Sequence, residues 1–240
     1  MANALYNYTS SLSCKKEIQM NEKEFISYAK DKLGEILNKP GTILYSSHKT
    51  IRKSDIYLMG TNPGGTEGID LRTNIDNLSN KETNAYLDEA WDSERTTYRK
   101  GEAPLQKRVQ KILKGLGYNT REICATNLIF TQSKNLQALK YNFFDTANIC
   151  WEVHEKLLSI VRPKIILVFG NSKQESPYSY LEHKYQISKG TTEEECGYSN
   201  WKFKSFKTEK YLVVGLPHLS YSINPERAIN FINKQRKNAL

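Results

Sequence analysis

Residues Leu58-Met-Gly-Thr-Asn-Pro-Gly-Gly65 form an apolar strand that runs into a turn with little side-chain bulk, and the one carboxamide at its tip is Asn62. An amide does not titrate near neutrality and is no strong base, but its oxygen can accept a hydrogen bond from a water and orient it. Pro63 fixes its own φ, and Gly64 and Gly65 let a ligand approach the main chain closely. A second apolar strand, Tyr211 to Pro217, ends on His218 and is followed by Leu219-Ser220-Tyr221-Ser222. A neutral imidazole whose other nitrogen is paired can donate a hydrogen bond to an oxygen that gains negative charge. Asn127, within the apolar run 122–130, carries an amide with both donor and acceptor. Gly170-Asn171-Ser172 closes a further apolar run, where a small hydroxyl and main-chain N–H groups suit phosphate contacts. Each feature alone also fits plain structure: a strand-to-loop turn, a histidine that caps a strand, a core asparagine bonded to main chain, and ordinary turn chemistry.

Taken in order along the chain, these segments resemble the uracil-DNA glycosylase superfamily. Gly60-Thr61-Asn62-Pro63-Gly64 is similar to its water-activating motif, in the Asn form of its mismatch-specific and single-strand-selective branches. His218-Leu-Ser220-Tyr-Ser222 resembles its His-Pro-Ser loop, and Val168-Phe-Gly170-Asn-Ser172 resembles the strand-Gly-Ser turn between the two. The resemblance spans roughly residues 50 to 235. It implies a three-layer α/β/α sandwich around a mainly parallel four-stranded sheet. It also implies hydrolysis of the bond between a flipped-out base and its sugar, without metal or cofactor. Asn62 would orient the water, His218 would stabilise the departing base, and Gly60, Thr61, Pro63, Gly64, Gly65 and Asn127 would surround that base. Phe130 or a ring from residues 66–104 would stack on it. Gly170, Asn171, Ser172, Leu219, Ser220, Tyr221 and Ser222 would meet the DNA.

Two departures matter. The family's Pro after the His is Leu219 here, and its aliphatic wedge falls near Ser222, which is too small, leaving Leu219, Tyr221 or Ile223 for that role. The Tyr that blocks ring position 5 in the best-known uracil enzymes is replaced by Gly64 and Gly65. A pocket open at that position admits pyrimidines with large substituents. Glucosylated hydroxymethylcytosine of phage DNA is one, and the superfamily has an anti-phage branch of this type. Uracil or mismatch repair is the alternative within the class, and a non-catalytic nucleic-acid binder on the same fold is the alternative outside it. The motif ends lack the clustered carboxylates of metal-assisted phosphoryl chemistry, and no Lys stands within the core motifs for a Schiff-base lyase.

Composition is consistent with a polyanionic partner. The chain of 240 residues has a net charge of +9, and neutralised phosphates release counterions. The four cysteines, Cys14, Cys124, Cys150 and Cys196, show no C-x-x-C spacing and no accompanying His cluster, which argues against zinc or an iron–sulfur cluster. Cys124 and Cys150 read as buried thiols of a reducing compartment. No signal peptide or bilayer-length apolar stretch occurs, so a cytoplasmic monomer is the expectation.

The elements that must position these residues follow from periodicity. One domain is expected over 1–240, with a loose lead-in over 1–20. Helices are expected over 21–38, 105–116 (closed by Gly115 and Gly117), 143–161 and 225–235, and a short helix or loop before Leu181. Strands are expected over 55–62, 122–130, 164–170 and 211–217, with an antiparallel edge strand over 201–206. Residues 66–104 form a polar insertion, either a solvated excursion or a substrate lid, and 182–200 reads as a second excursion.

Overall fold

The computed structural model describes residues 22–65, 68–93, 96–133, 136–139 and 142–239. The expected lead-in and Cys14 lie outside the described residues. Six strands, β1 (Ile56–Gly60), β2 (Cys124–Asn127), β3 (Ile165–Phe169), β4 (Thr192–Glu195), β5 (Lys202–Lys207) and β6 (Leu212–Leu216), form one sheet in the order β2-β1-β3-β6-β5-β4. The four strands read as buried runs are the parallel ones, and β5 pairs antiparallel with β6.

The sheet is therefore larger than the four strands expected. Of the two additional strands, β5 is the expected antiparallel edge strand, and its hairpin partner β4 falls in the stretch 182–200 read as an excursion. Its sequence is Thr-Glu-Glu-Glu, with no apolar alternation to betray a strand. It pairs antiparallel with β5, and charge lies across the join: Glu193 pairs with Lys202 at 2.8 Å, and Glu194 pairs with Lys234 at 2.9 Å. Charged, exposed edges of this kind also discourage further strand pairing.

Helices cover both faces. Side chains of a strand alternate between faces, so Tyr57 and Met59 of β1 join one core and Ile56 and Leu58 the other. The first core is closed by α1 (Glu22–Leu33), the short α2 (Leu71–Asp76), α5 (Phe143–Val161) and α6 (Pro177–Lys184). The second is closed by α3 (Pro104–Gly115) and α7 (Pro225–Ala239). A further short helix, α4, covers Leu136–Leu139. Helix α5 spans the range its apolar pattern implied and ends on Arg162 in the left-handed conformation. The segment 41–46, to which the sequence reading assigns no element, runs along the outer edge of β2: Tyr45 N donates to Ala125 O at 2.8 Å, and Ala125 N donates to Ser46 Oγ at 3.0 Å. That edge is thereby covered.

The described part of the insertion from Asn84 to Gly101 is tied to α3 and to the turn before β2. Gln106 of α3 donates to Ala85 O at 2.6 Å and Glu89 O at 2.9 Å, and Gln110 donates to Tyr86 O at 2.6 Å and Gly101 O at 2.9 Å. Asn84 adds a bond to Thr120 O at 3.1 Å. Buried amides on α3 thus satisfy main-chain carbonyls that water would otherwise serve, and the segment packs as a wall.

Parallel strands finish on the same side of the sheet. The loops after β1, β2, β3 and β6 therefore gather at one end, and β1 is where the crossover direction reverses, with β2 on one side and β3 on the other. Ligands of open α/β sheets bind in the crevice at such a switch point.

One core group makes the fold sensitive to acid. His154 of α5 is fully buried; Tyr57 Oη lies 2.8 Å from its Nδ1 and Leu128 O 3.1 Å from its Nε2. The carbonyl can only accept, so Nε2 carries the proton and Nδ1 accepts from the phenol. Burial depresses the imidazole from 6.5 to about 4. Below pH 6.5 the unfolded chain binds a proton that the folded chain refuses, so this contribution is complete above pH 6.5 and is lost as pH falls through about 4. The loss is on the order of 3 kcal/mol. Denaturant melts across this range should show stability falling toward acid, and His154→Gln should remove most of the slope; an unaltered slope in that variant excludes His154 as its source.

Candidate active site

The gathered strand ends enclose a cleft of about 1620 Å³. Asn62 and His218 both line it, as do Thr61, Pro63, Gly64, Gly65, Asn127, Gly170, Asn171, Ser172, Ser220 and Tyr221. Strands β1 and β6 flank β3, so their ends stand two inter-strand spacings apart, roughly 10 Å. The two groups with the clearest chemistry thus come from residues 156 positions apart (218 less 62) and open onto one space.

Hydrogen bonding sets the orientation of Asn62. Its Nδ2 donates to Pro63 O at 2.7 Å and to Ser133 Oγ at 2.9 Å. With both amide hydrogens engaged, Oδ1 is the group left to accept from a ligand or water. Ser133 reaches the site because the chain beyond β2 keeps alongside the chain beyond β1: Leu128 N donates to Gly60 O and Ile129 N to Thr61 O, each at 2.9 Å, and Ser133 N donates to Pro63 O at 3.1 Å.

The imidazole is fixed just as closely. Ser220 N donates to His218 Nδ1 at 3.4 Å, and Ser220 Oγ lies 2.7 Å from the same nitrogen. A main-chain N–H can only donate, so Nδ1 is an acceptor and the proton of the neutral ring sits on Nε2. Burial lowers the His218 pKa, which keeps the ring neutral at pH 7. Arg108 stands behind this loop. Its Nη1 donates to Leu219 O at 2.8 Å and to Ser220 O at 3.3 Å. Leu219 O and Ser220 N belong to one peptide unit, so the guanidinium holds the plane whose N–H selects the tautomer of His218. On sequence, Arg108 belonged to the basic outer face of α3, and nothing in its spacing distinguished it from Lys107 or Lys111.

Asn127 ends β2, with its side chain 3 % exposed and its Nδ2 without a hydrogen-bond partner. It can lie there because residue 60 is glycine: a Cβ at that position would stand 2.2 Å from Asn127 Oδ1 and 2.9 Å from the Phe169 ring. Gly60 itself does not line the cleft; it makes room for those that do. Gly170 has φ +106, and a Cβ there would meet Thr61 Oγ1 at 2.9 Å.

Several expected residues fall elsewhere. Phe130 does not line the cleft; it is buried against His154 of α5, with ring centroids 4.7 Å apart, because it is drawn into the α1/α5 core. The aromatic rings that do line the cleft are Phe169, Tyr45, Trp201, Tyr221 and, from the insertion, Tyr86 and Trp91. Phe169 lies edge-to-face with His218 at 5.8 Å. Leu219 turns inward among Val109, Leu113 and Leu216, and Ile223 is buried as well, so neither is free to meet DNA. Of the three wedge candidates only Tyr221 is exposed, at 47 %, with Trp201 packed edge-on at 4.7 Å. Ser222 is exposed but lies outside the cleft lining. Asn171 spends its Nδ2 hydrogens on Lys202 O at 2.7 Å and Gly215 O at 2.9 Å, which ties the turn after β3 to the sheet.

Charge inside the cleft is balanced. Lys81, Lys173, Lys202 and Lys204 face Glu89, Asp92, Glu175 and Glu193. The excess of positive charge over the whole chain is therefore not concentrated in this lining. Among the described residues no group of three or more His, Cys, Asp or Glu could hold a metal ion, and no helix is long and apolar enough to cross a membrane. Cys124, Cys150 and Cys196 are buried free thiols, and burial pushes Cys124 and Cys150 up to about 12. No protein-family model matches the chain, and no curated protein matches it significantly.

Two substitutions examine this geometry. Gly60→Ala should force the Asn127 amide or Phe169 away and cost about 1–3 kcal/mol in urea melts, the range of an overpacked site; a neutral result would show that the strand end tolerates a methyl group. In Arg108→Ala the His218 ring should lose its single tautomer, read by nitrogen NMR of the imidazole, and Arg108→Lys should restore it in part. A single unchanged tautomer in Arg108→Ala refutes the link.

Proposed function

We propose that this protein is a monofunctional DNA glycosylase that hydrolyses the N-glycosidic bond of a flipped-out pyrimidine and leaves an abasic site. The observation that carries the reading is that Asn62 and His218 open onto one cleft, each already turned to the polarity the reaction needs. As the bond from C1′ to the base breaks, its electron pair leaves with the base and the sugar gains cationic character. The Asn62 oxygen holds a water for attack on C1′, where a weak nucleophile suffices. The His218 Nε2–H donates to the base oxygen that gains charge, which a neutral donor does without giving up its proton. The water oxygen becomes the C1′ hydroxyl, and its proton ends on the released base through solvent. An Asn in place of an Asp lacks the electrostatic stabilisation of the cation, so turnover is expected to be slow. A mainly parallel sheet with helices on both faces supports the three-layer sandwich that the resemblance implies, and the family assignment belongs to this proposal.

A pyrimidine substituted at ring position 5 is the favoured base, with glucosylated hydroxymethylcytosine of phage DNA as the candidate. The cleft is far larger than a bare base needs, Gly64 and Gly65 add no bulk, and Glu89, Asp92, Asn74 and Gln132 offer partners for hydroxyl groups. Uracil or a mismatched base is the second reading, and one observation favours it. The Tyr45 phenol lies close to the Asn127 amide and the Gly64 main chain, which takes back part of the space that the glycines leave.

Incubation with uracil DNA and with glucosylated phage DNA, scored as alkali-sensitive breaks, tests both readings. Breaks in the glucosylated DNA are expected. Breaks in uracil DNA alone would reject the modified base. His218→Ala should slow release by about 10²- to 10³-fold, the range for loss of one donor to a developing oxyanion, and Asn62→Ala should also lower the rate. Release that survives both changes, or that never occurs with the unaltered chain, leaves a non-catalytic nucleic-acid binder as the better description.

A further inference from the structure

Four buried side-chain polar atoms among the described residues have no hydrogen-bond partner: Asn127 Nδ2, Tyr86 Oη, Tyr178 Oη and Gln235 Nε2. The first two belong to residues that line the cleft, and the last two do not. A buried polar atom without a partner is costly and rare in a native fold, and two at one site point to a ligand that supplies what is missing. Asn127 was expected at the base; Tyr86 is one of the rings of 66–104 expected to stack on it, with no role foreseen for its hydroxyl.

We propose that Tyr86 is a second base-reading residue, whose hydroxyl together with the Asn127 amide takes the polar edge of the pyrimidine. The inference rests on the glycosylase reading for the identity of the ligand, and on geometry for the site. Tyr86 is 1 % exposed, and its main chain is held from both sides: Tyr86 N donates to Asn84 Oδ1 at 2.9 Å, and Gln110 Nε2 donates to Tyr86 O at 2.6 Å. Its ring is braced by Tyr45 at 5.8 Å, Trp91 at 5.9 Å and Phe169 at 6.5 Å. Such bracing positions a hydroxyl in advance, so little freedom remains to be lost on binding. Asn127 Nδ2 can only donate and needs an acceptor. The hydroxyl can donate or accept. Burial and the nearby Tyr45 and Glu89 hold the Tyr86 proton firmly on, so both roles stay open at neutral pH.

A cytosine-type edge meets this pair with its ring nitrogen toward Asn127 and its amino group toward Tyr86. A uracil-type edge meets it with a carbonyl oxygen. Both orphaned atoms are buried. Tyr45 packs against Tyr86 and lies close to Asn127, and its half-buried ring is the group that must shift to admit the base.

Tyr86→Phe removes one oxygen and keeps the ring, and it separates a ligand-reading role from a structural one. A hydroxyl that serves only the fold would lower the melting temperature when removed. A hydroxyl kept for a ligand should raise the melting temperature by about 2–4 °C, since a desolvated orphan is lost. It should also weaken binding of the free base by about 3- to 10-fold. Titrations of the full chain with free cytosine, 5-hydroxymethylcytosine and uracil, with Asn127→Ala alongside, give the second measurement, and the base most weakened by Tyr86→Phe identifies the edge that is read. A lowered melting temperature, or binding equal to that of the unaltered chain while Asn127→Ala binds poorly, overturns the role of Tyr86 and leaves the site intact. Binding of no base by the unaltered chain overturns both. Bases that bind as expected, with DNA that never loses one, sustain Tyr86 and reject the glycosylase.

Discussion

A Cβ on Gly60 would stand 2.2 Å from the Asn127 amide oxygen, and no side chain but hydrogen avoids that collision. The arrangement of the cleft depends on this close approach. Because β1 ends without bulk, the last residue of β2 swings its amide across the strand end, and Phe169 at the end of β3 leans over from the other side. Phe169 in turn meets the His218 ring from β6. Four parallel strands are thus joined at their ends by side chains that touch because one residue has none.

Around that junction, main-chain polarity does much of the positioning. The Asn62 amide is turned by a carbonyl and a serine hydroxyl, and the His218 ring is turned by a peptide N–H whose own carbonyl is held by Arg108. Neither orientation relies on a charged partner inside the cleft, where acids and lysines balance. Neutral groups with fixed donor and acceptor directions suit the proposed reaction, in which charge develops on the departing base and must be met without reorganisation. The insertion is joined to the same frame, since amides of α3 hold its carbonyls against the wall of the cleft.

Legibility in the sequence tracked hydrophobic pattern. Helix α5 and the parallel strands could be read because each buries an unbroken stripe or run, and β5 because it alternates. Strand β4 could not, since it is defined by its ladder with β5 and by lysines on β5 and α7 that pair with its glutamates, relations invisible in four polar residues. Phe130 and Leu219 were misplaced for a related reason. An apolar residue near a motif is equally suited to a ligand and to the core, and the core took both.

By itself the sequence determined that buried strands end on polar residues at 62, 127 and 218, and that the turns there are bare enough for close approach, because strand burial and glycine content are local properties. The tertiary structure alone decided that these ends share a cleft, that Arg108 binds the carbonyls of the loop after His218, and that Tyr45, Tyr86 and Phe169 are among its rings. Those outcomes depend on strand order and on which segments lie side by side. Both are fixed by packing between residues far apart in the chain, and no local pattern encodes them.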